Sequence, residues 1–372
     1  MNILILFSQP WKVGGAETHV EALIKGLKDH KIYLAVNKGS DQAKVADLKQ
    51  KYSYITIIEI QARGANPVNW VKGITKLASL IRQENIEVIS AQQRTAGIWA
   101  SILHKRTGVP YIVTMHDAWH RAAFKSIYSK VFPRIIVVGQ HLTGVLTEKF
   151  QFTMQQITKI ANGIDFSMFK PYDKELARQQ LGLDRDSAII LHVSRLSNIK
   201  GAVSLALLDS IEHVINENSA VTLVILGEGP LRQRIEELAA KINERYCNSK
   251  VSIYGFTDNI CLWYNAADVI VGEGRVAIEA LACEKPVVAI RNGEHFFGTI
   301  RGTNIDEAIN VNFDGRNFVV DKHTMARQIK LAMGLQAEEC QEIAGYIRQK
   351  LSLEKMAHEY IEEFKHLLHP VD

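Results

Sequence analysis

The chain has 372 residues, of which 47% are hydrophobic and 23% are charged, an ordinary composition for a soluble globular protein. These proportions exclude an intrinsically disordered chain, a collagen-like fibre and a small disulfide-stapled domain, and the length predicts about two domains. The net charge of +4 is uneven, with +10 on residues 1–168 and −6 on the remainder. Unless this split arises by chance, it indicates two domains with different partners.

The cysteines and the apolar runs bear on the compartment of the protein. The four cysteines, at positions 247, 261, 283 and 340, include no Cys-x-x-Cys pair, so we expect buried, reduced thiols rather than a zinc site or a redox motif. The longest apolar runs are as long as strands and fall well short of the ~20 residues of a membrane helix. The first residues enter such a run without a basic segment or a cleavage site. We therefore expect a cytoplasmic protein that at most touches the inner face of a membrane.

Short apolar runs alternate with amphipathic stretches along most of the chain. A first series predicts strands at residues 2–8, 32–36, 55–60, 86–90, 111–115 and 135–138, with helices at 16–29 and 41–51 and helical patterns between the others. A second series predicts strands at residues 188–193, 222–226, 251–254, 269–271 and 287–290, and the pattern after Asp321 is helical. Strands that are apolar on both faces and separated by helices are typical of parallel sheets covered on both sides. The sequence thus predicts two successive doubly wound α/β domains, with a boundary at 161–171.

Glycines and cations follow several of the predicted strands, at the edge where open parallel sheets bind ligands. Gly14 and Gly15 follow the first strand, and Gly227 follows the strand at 222–226. Such glycines let backbone N–H groups approach an anion, although they also make ordinary turns. Arg195 and Lys200 lie in the loop after the strand at 188–193, where two cations suit a diphosphate. The alternative is a pair of solvated loop cations.

A further glycine turn opens the helix after the strand at 269–271. It contains Glu273, Gly274 and Arg275, and the helix carries Glu279. The N-terminus of a helix attracts phosphate, and a carboxylate one turn in can bind a ribose diol. The alternative for Glu279 is a solvated helix residue.

Two other segments invite a functional interpretation. Asp184-Arg185-Asp186 has the form of a metal-binding Asp-x-Asp motif, but its place just before a strand favours a polar turn. The segment 119–134 is basic and aromatic, so it could rest on an anionic membrane, or its aromatic residues could belong to the core. Its cations are Arg121, Lys125, Lys130 and Arg134, and its aromatic residues are Trp119, Phe124, Tyr128 and Phe132.

In their order and spacing, these segments resemble the family-4 retaining glycosyltransferases of the GT-B fold. The resemblance spans nearly the whole chain. The motifs that carry it are Gly14-Gly15-Ala16-Glu17, Asn162-Gly163-Ile164-Asp165 with Phe169, Ser194-Arg195-Leu196 with Lys200-Gly201, and Glu279-Ala280-Leu281-Ala282 with Lys285-Pro286-Val287-Val288. The resemblance implies an α/β protein of two Rossmann-like domains facing a cleft. Residues 1–165 would form the acceptor-side domain and 170–350 the nucleotide-sugar domain, with a helix in 351–372 packing back on the first.

The resemblance also implies roles for individual residues. Arg195 and Lys200 would bind the diphosphate of the donor, and Glu279 would bind the ribose. The histidine that contacts the transferred sugar would be His116, so His116, Arg195 and Lys200 form the expected catalytic set. The expected donor-binding set is Gly14, Gly15, Gly227, Glu273, Gly274, Arg275 and Glu279.

The sequence departs from the family pattern at two places. Val271 stands where the family has the first of two glutamates that help to hold the donor sugar, and Glu273 lies two residues away. The segment Gln92-Gln93-Arg94 replaces a segment that often contains a histidine. The first departure leaves the identity of the donor sugar open.

The expected reaction is the transfer of a hexose-type sugar from a nucleotide-diphosphate donor to a hydroxyl, with retention at the anomeric carbon. The resemblance implies a front-face substitution that needs no metal or other cofactor. The expected partners are the donor and a glycan or lipid-linked acceptor of surface polysaccharide or glycolipid synthesis, without nucleic acid. The alternatives are a GT-B sugar-nucleotide epimerase and a nucleotide-sugar-binding protein without catalytic activity.

Overall fold

The computed structural model describes residues 1–12, 14–62, 67–119, 125–292, 295–314 and 321–369. Its contacts divide the chain into two compact units. The first unit comprises Met1–Gly163 together with Leu353–Asp372, and the second unit comprises Ile164–Ser352. The chain therefore leaves the first unit once and returns to it for the last helix.

The first unit contains a parallel seven-stranded sheet in the order β3-β2-β1-β4-β5-β6-β7. The strands are β1 Asn2–Phe7, β2 Lys31–Asn37, β3 Ile55–Ile60, β4 Val88–Gln92, β5 Tyr111–Met115, β6 Ile135–Val137 and β7 Ile157–Lys159. The helices are α1 Gly15–Gly26, α2 Gln42–Lys51, α3 Pro67–Gln83, α4 Arg94–Thr107, α5 Lys125–Val131 and α6 Gln140–Phe150, with one turn of 3₁₀-helix at Met154–Gln156.

The second unit contains a six-stranded sheet in the order β10-β9-β8-β11-β12-β13, in which only the pairing of β12 with β13 is antiparallel. The strands are β8 Ala188–Val193, β9 Val221–Leu226, β10 Val251–Tyr254, β11 Val269–Gly272, β12 Val287–Asn292 and β13 His295–Thr299. The helices are α7 Lys174–Leu181, α8 Gly201–Ile215, α9 Arg232–Arg245, α10 Ile260–Ala266, α11 Arg275–Ala282, α12 Ile305–Asn310, α13 Lys322–Met333 and α14 Ala337–Leu351. The last helix, α15 Leu353–Leu368, belongs to the first unit.

Both faces of the first sheet are covered, as the apolar runs predict. Along β1, Leu4 and Leu6 point into one core cluster, which includes residues of α3 and α4. Ile3, Ile5 and Phe7 point into another cluster, which includes residues of α1 and α15. Since successive side chains of a strand alternate between faces, an apolar strand can serve two cores at once.

The last helix packs closely on α1. A Cβ atom at Gly26 would lie 2.6 Å from the Cβ of Ala357 and 3.1 Å from the carbonyl oxygen of Leu353, so no larger residue fits there without a shift of α15. Tyr360 and Phe364 of α15 are fully buried in the same cluster. The helix is therefore part of the core of the first unit.

The two predicted α/β series are confirmed, and every predicted strand lies within two residues of its expected bounds. The fourth strand begins later than predicted and extends to Gln92, which pairs with Phe7 of β1 and Thr114 of β5. Gln92 is buried, and its amide donates to the hydroxyl of Ser90 at 3.0 Å. Two strands were not predicted. β7 is short and only partly buried, and β13 is an antiparallel edge strand that contains Gly298 at a φ of +98°.

Candidate functional site

The second sheet brings those predicted site residues that belong to the second unit to one edge. The parallel strands β8, β9, β11 and β12 end at this edge, and their loops carry Arg195 and Lys200, Gly227, and Glu273 with Gly274. Arg275 and Glu279 follow on α11, which starts at the same edge. Residues that are up to 84 positions apart in sequence therefore lie at the carboxyl ends of neighbouring strands.

The loop that carries Arg195 packs closely against Gly227. A Cβ atom at Gly227 would lie 1.9 Å from the carbonyl oxygen of Ser194, so only glycine fits there. The N–H groups of Ser194 and Leu196 donate to the carbonyl oxygens of Leu226 and Glu228, at 3.0 and 2.9 Å. Leu196 is completely buried, whereas Arg195 is exposed. The loop is thus anchored on both sides of an arginine that faces solvent.

Lys200 belongs to a chain of alternating charges. Its Nζ lies 3.0 Å from Oε1 of Glu273, and Nε of Arg291 lies 3.8 Å from Oε2 of the same carboxylate. Arg291 also donates to Asp314, which is buried. Burial raises the pKa of Glu273, and Lys200 opposes this rise. Sequence reasoning missed Arg291, although its position at the end of β12 placed it on the same edge.

Glu279 is buried, so its interpretation as a solvated residue is wrong. Its Oε1 accepts from Nε and Nη2 of Arg275 at 3.1 and 2.9 Å, and its Oε2 accepts from the hydroxyl of Tyr264 at 3.0 Å. Burial raises the pKa of Glu279, and Arg275 is the main group that opposes the rise. The carboxylate is therefore held in one orientation. Gly274, which precedes α11, has a φ of +52°, a conformation that glycine adopts without strain.

His192 on β8 is a second residue that sequence reasoning missed. It is completely buried, and its Nδ1 lies 2.8 Å from the carbonyl oxygen of Val271, so Nδ1 carries the proton and donates. Burial lowers the pKa of His192 to about 4. The histidine thereby fixes the end of β11, at the residue where the family pattern has a glutamate.

His116 in the first unit lies at the end of β5, beside the end of β4. Its Nε2 lies 2.9 Å from Oε1 of Gln92, which accepts, so Nε2 carries the proton and Nδ1 has a lone pair. Burial lowers the pKa of His116 well below its usual value, and the neighbouring His19 lowers it further. The structure therefore presents a neutral histidine with an acceptor nitrogen at this edge of the sheet.

A buried network surrounds His116. The ring of His19, on α1, packs edge-on at 4.6 Å from the ring of His116. Nδ1 of His19 lies 2.8 Å from Oδ1 of Asn162, and its Nε2 lies 3.0 Å from the hydroxyl of Tyr360. That hydroxyl also lies 2.9 Å from Oγ1 of Thr114. The motif residue Asn162 and the last helix thus meet at His19, a residue that sequence reasoning did not single out.

The two glycines at the start of α1 differ in their surroundings. A Cβ atom at Gly14 would lie 2.4 Å from the carboxylate of Glu17, the flexible end of a side chain. A Cβ atom at Gly15 would meet no described atom within 4 Å. Packing within the described part of the first unit therefore does not require glycine at position 15.

Asp184 and Asp186 form a polar turn. Oδ1 of Asp184 accepts from the N–H of Asp186 at 3.1 Å, and both side chains are exposed. The turn precedes β8 and therefore lies at the amino edge of the sheet, opposite Lys200 and Glu273.

The basic aromatic segment is largely part of the core. Trp119 and Phe132 are buried in the core cluster of the first unit, and Tyr128 packs against it. Arg134 is not without a counter-charge, because its Nε lies 2.9 Å from Oε2 of Glu363. The prediction that these aromatic residues face a membrane is therefore wrong for Trp119 and Phe132, since they fill the space beside β5 and β6. Residues 120–124, with Arg121 and Phe124, lie outside the described residues.

Among the described residues, no helix is both long and apolar enough to cross a bilayer.

Comparisons with known proteins agree with the two-unit architecture. A model of glycosyltransferase family 4 matches residues 13–167, and a model of glycosyl transferases group 1 matches residues 173–296. A D-inositol 3-phosphate glycosyltransferase of Segniliparus rotundus is 28% identical over 228 residues, which are 52% of this chain and 48% of that protein. The chain thus spans about half the length of the curated relatives it matches.

Two solved structures share the fold over the whole chain. A glycosyltransferase of Rickettsia africae has a TM-score of 0.80 at 20% identity and covers 100% of this chain and 99% of its own. Anabaena HepE in complex with UDP has a TM-score of 0.78 at 20% identity and covers 99% of this chain and 100% of its own. HepE has also been solved with UDP-glucose, with a TM-score of 0.70. These likenesses show the GT-B fold.

Proposed function

Since the chain belongs to the family-4 glycosyltransferases of the GT-B fold, we propose that it transfers a sugar from a nucleotide-diphosphate donor to an acceptor hydroxyl. The observation that carries the proposal is the arrangement of Arg195, Lys200 and Glu279 at the carboxyl edge of the second sheet. Two cations and an oriented carboxylate match the diphosphate and the ribose of such a donor. The occurrence of UDP in the similar HepE structure supports this choice.

The diphosphate would bind at the charged residues of the loop after β8. Lys200, whose side chain is 54% exposed, is held at 3.0 Å by Glu273. A phosphate oxygen is a competing partner for the ammonium group, and Arg291 remains as a partner for Glu273 when Lys200 turns to the phosphate. We propose that Lys200 and Arg195 stabilise the charge that grows on the diphosphate as it leaves.

The ribose would bind at Glu279. Arg275 and Tyr264 occupy only part of the acceptor capacity of its carboxylate, so lone pairs remain for a diol. Because the two partners hold the carboxylate in place, it does not lose rotational freedom when the donor binds.

The transferred sugar would use His116. Its neutral state and its Nδ1 lone pair suit a hydrogen bond from a sugar hydroxyl, and a Cβ atom at Gly15 would meet no described atom within 4 Å. Glu273 is a candidate for the role of the glutamate that is absent at position 271. We propose a hexose-type sugar on this basis.

The proposed reaction keeps the configuration of the anomeric carbon. It follows the front-face route that the family resemblance implies, in which a leaving phosphate oxygen takes the proton of the acceptor hydroxyl as the new glycosidic bond forms. Positive side chains supply the stabilisation, so the proposed transfer needs no metal ion.

The proposed acceptor is a glycan or a lipid-linked sugar of surface polysaccharide or glycolipid synthesis, bound by the first unit. The excess of +10 on residues 1–168 supports an anionic acceptor. The segment 119–134 gives little support to membrane contact, because Trp119 and Phe132 are buried and Arg134 is paired with Glu363.

The test is turnover of nucleotide sugars, with UDP-glucose as the first donor. In a donor panel, the wild-type chain should transfer or hydrolyse one nucleotide sugar. The variants Arg195→Ala and Lys200→Ala should each lose about 2–4 kcal/mol of transition-state stabilisation, or roughly 30- to 10³-fold in kcat. Lys241→Ala is the matched control, since Lys241 is exposed on α9. Unchanged turnover in both variants would show that the diphosphate binds elsewhere.

The products also distinguish the alternatives. An epimerised nucleotide sugar would make the chain an epimerase, and binding of a nucleotide sugar without any turnover would leave a binding protein. Either result contradicts the proposal.

A further inference from the structure

Two thiols of the second unit lie in direct contact. Cys261 is on α10, and Cys283 follows the last residue of α11. Their Sγ atoms are 3.8 Å apart, although the residues are separated by 22 positions in sequence. The two cysteines do not have the Cys-x-x-Cys spacing of a redox motif, but the tertiary structure brings their sulfur atoms together.

The other two cysteines have different surroundings. Cys247 is exposed in the turn after α9, where its Sγ donates to the carbonyl oxygen of Glu244. Cys340 is buried on α14. The contact of Cys261 with Cys283 thus distinguishes these two residues.

The two sulfur atoms differ in access and in protonation. Cys261 is partly exposed, whereas Cys283 is buried. The amide of Asn265 donates to Sγ of Cys261 at 3.5 Å, and Sγ of Cys261 lies 4.0 Å from the carbonyl oxygen of Lys170. Either thiol of the pair can donate to the other, and this hydrogen bond is the main cause that lowers the pKa of Cys261. The same hydrogen bond raises the pKa of Cys283. Because Cys261 is partly exposed and Cys283 is buried, a small disulfide in solvent reaches Cys261 first, so Cys261 is the nucleophile of the pair.

We propose that Cys261 and Cys283 form a reversible disulfide that joins α10 to α11. The co-reactant is a small-molecule disulfide such as oxidised glutathione. The thiolate of Cys261 attacks one sulfur of that molecule, forms a mixed disulfide and releases one glutathione thiolate. Cys283 then loses its proton to solvent and attacks Sγ of Cys261, which releases the second glutathione. Two electrons pass from the protein to the glutathione disulfide. The two cysteine thiols give up two protons in all, and the two released glutathione thiolates take up two protons.

The new bond would lie beside the proposed ribose site. Tyr264 is one helical turn after Cys261 on α10, and Glu279 is one turn before Cys283, so the Tyr264–Glu279 hydrogen bond joins the same two segments. A change in donor affinity on oxidation rests on the proposed function, whereas the disulfide itself does not. The experiment therefore measures thiols and peptide masses, and not activity.

The test uses the full chain with Cys247→Ser, which removes the exposed thiol. The protein is incubated with oxidised glutathione, unfolded in an alkylating agent and analysed by intact mass and peptide mapping. We expect two of the three remaining cysteines to escape alkylation, no glutathione to be retained, and one cross-linked peptide pair that contains Cys261 and Cys283. Dithiothreitol should restore both thiols. Three alkylated cysteines, or a glutathione retained on Cys261, would overturn the proposal.

Two further variants in the same background test the order of the steps. Cys283→Ser should stop the reaction at the mixed disulfide, with one glutathione on Cys261. Cys340→Ser is the matched control and should still form the cross-link. A cross-link that needs Cys340 would contradict the assignment.

Discussion

The carboxyl edges of the two sheets carry opposite kinds of chemistry on the same topology. Five strands of each sheet follow the same order, β3-β2-β1-β4-β5 and β10-β9-β8-β11-β12. At the first edge, His116 and Gln92 form neutral hydrogen bonds. At the second edge, Lys200, Glu273 and Arg291 form a chain of charges. The shared topology places the proposed ligand-binding residues at the same edge in both units, and the residue types decide which ligand each edge suits.

The difference matches the parts of a nucleotide sugar. Neutral donors and acceptors suit sugar hydroxyls, which carry no charge, whereas cations suit phosphate. The excess positive charge of residues 1–168 does not appear in the hydrogen-bonded network of His116.

The largest expected effect concerns the charged edge. Glu279→Ala removes the buried carboxylate that pairs with Arg275 and accepts from the hydroxyl of Tyr264. Loss of one partner of a buried pair typically costs about 3–5 kcal/mol of folding free energy. Chemical denaturation should show this loss, with Glu244→Ala on the surface of α9 as the control. A loss as small as that of the control would show that the contacts of Glu279 contribute little to stability.

The corresponding change at the neutral edge should cost less. His19→Ala removes hydrogen bonds to Asn162 and Tyr360 inside the core of the first unit. Unsatisfied neutral groups cost about 1–3 kcal/mol, so the unfolding free energy should fall by roughly that amount. His104→Ala, at an exposed position on α4, is the control. If His19→Ala is more destabilising than Glu279→Ala, the ranking of the two edges is wrong.

The third prediction concerns pH and involves both units. Burial lowers the pKa of His116, and that of His192 to about 4, whereas both unfolded side chains titrate near 6.5. Below pH 6.5 the unfolded chain therefore binds more protons than the folded chain. The free energy of unfolding keeps its highest value above that pH, as far as these histidines are concerned, and decreases as the pH falls toward 4. Each histidine contributes a slope of about 1.4 kcal/mol per pH unit. Denaturation at pH 7.5 and 5 checks this, and His116→Gln and His192→Asn should each reduce the slope.

The smallest expected effect is a gain in affinity. Glu273→Gln removes the carboxylate that competes with a diphosphate for Lys200, so UDP should bind more tightly. Because Lys200 is exposed, the gain is at most ~1 kcal/mol. Calorimetric titration with UDP measures it, with Glu212→Gln, which loses the distant pair with Arg245, as the control. Weaker binding of UDP would show that Glu273 does not compete for Lys200.

Much of the fold could be predicted, because a strand that is buried on both faces consists of a short run of apolar residues. The bounds of β3, β5, β8 and β10 agree with the prediction residue for residue. The prediction of strand bounds failed where a buried residue is polar, as at Gln92. It also missed a strand at the edge of the sheet, β13. Part of the candidate site could be predicted from the sequence, since glycine turns and loop cations directly follow the predicted strands.

The sequence did not predict the residues whose role depends on a partner elsewhere in the chain. Tyr264 looks like an ordinary aromatic residue of a helix until its hydroxyl is found on Glu279. His19 likewise acquires a role only through Asn162 and Tyr360, which are 143 and 341 positions away. No local pattern records such pairs.

By itself, the sequence determined the two α/β series, the strand ends where ligands can bind and the family resemblance, because hydrophobic alternation and glycine turns are local properties. Only the tertiary structure decided that Arg291 meets Glu273 and that Cys261 meets Cys283. These contacts depend on the order of strands in each sheet and on the packing of helices above it. Both are set by the whole chain at once, since each helix can bury its apolar face only against the strands that the others leave open.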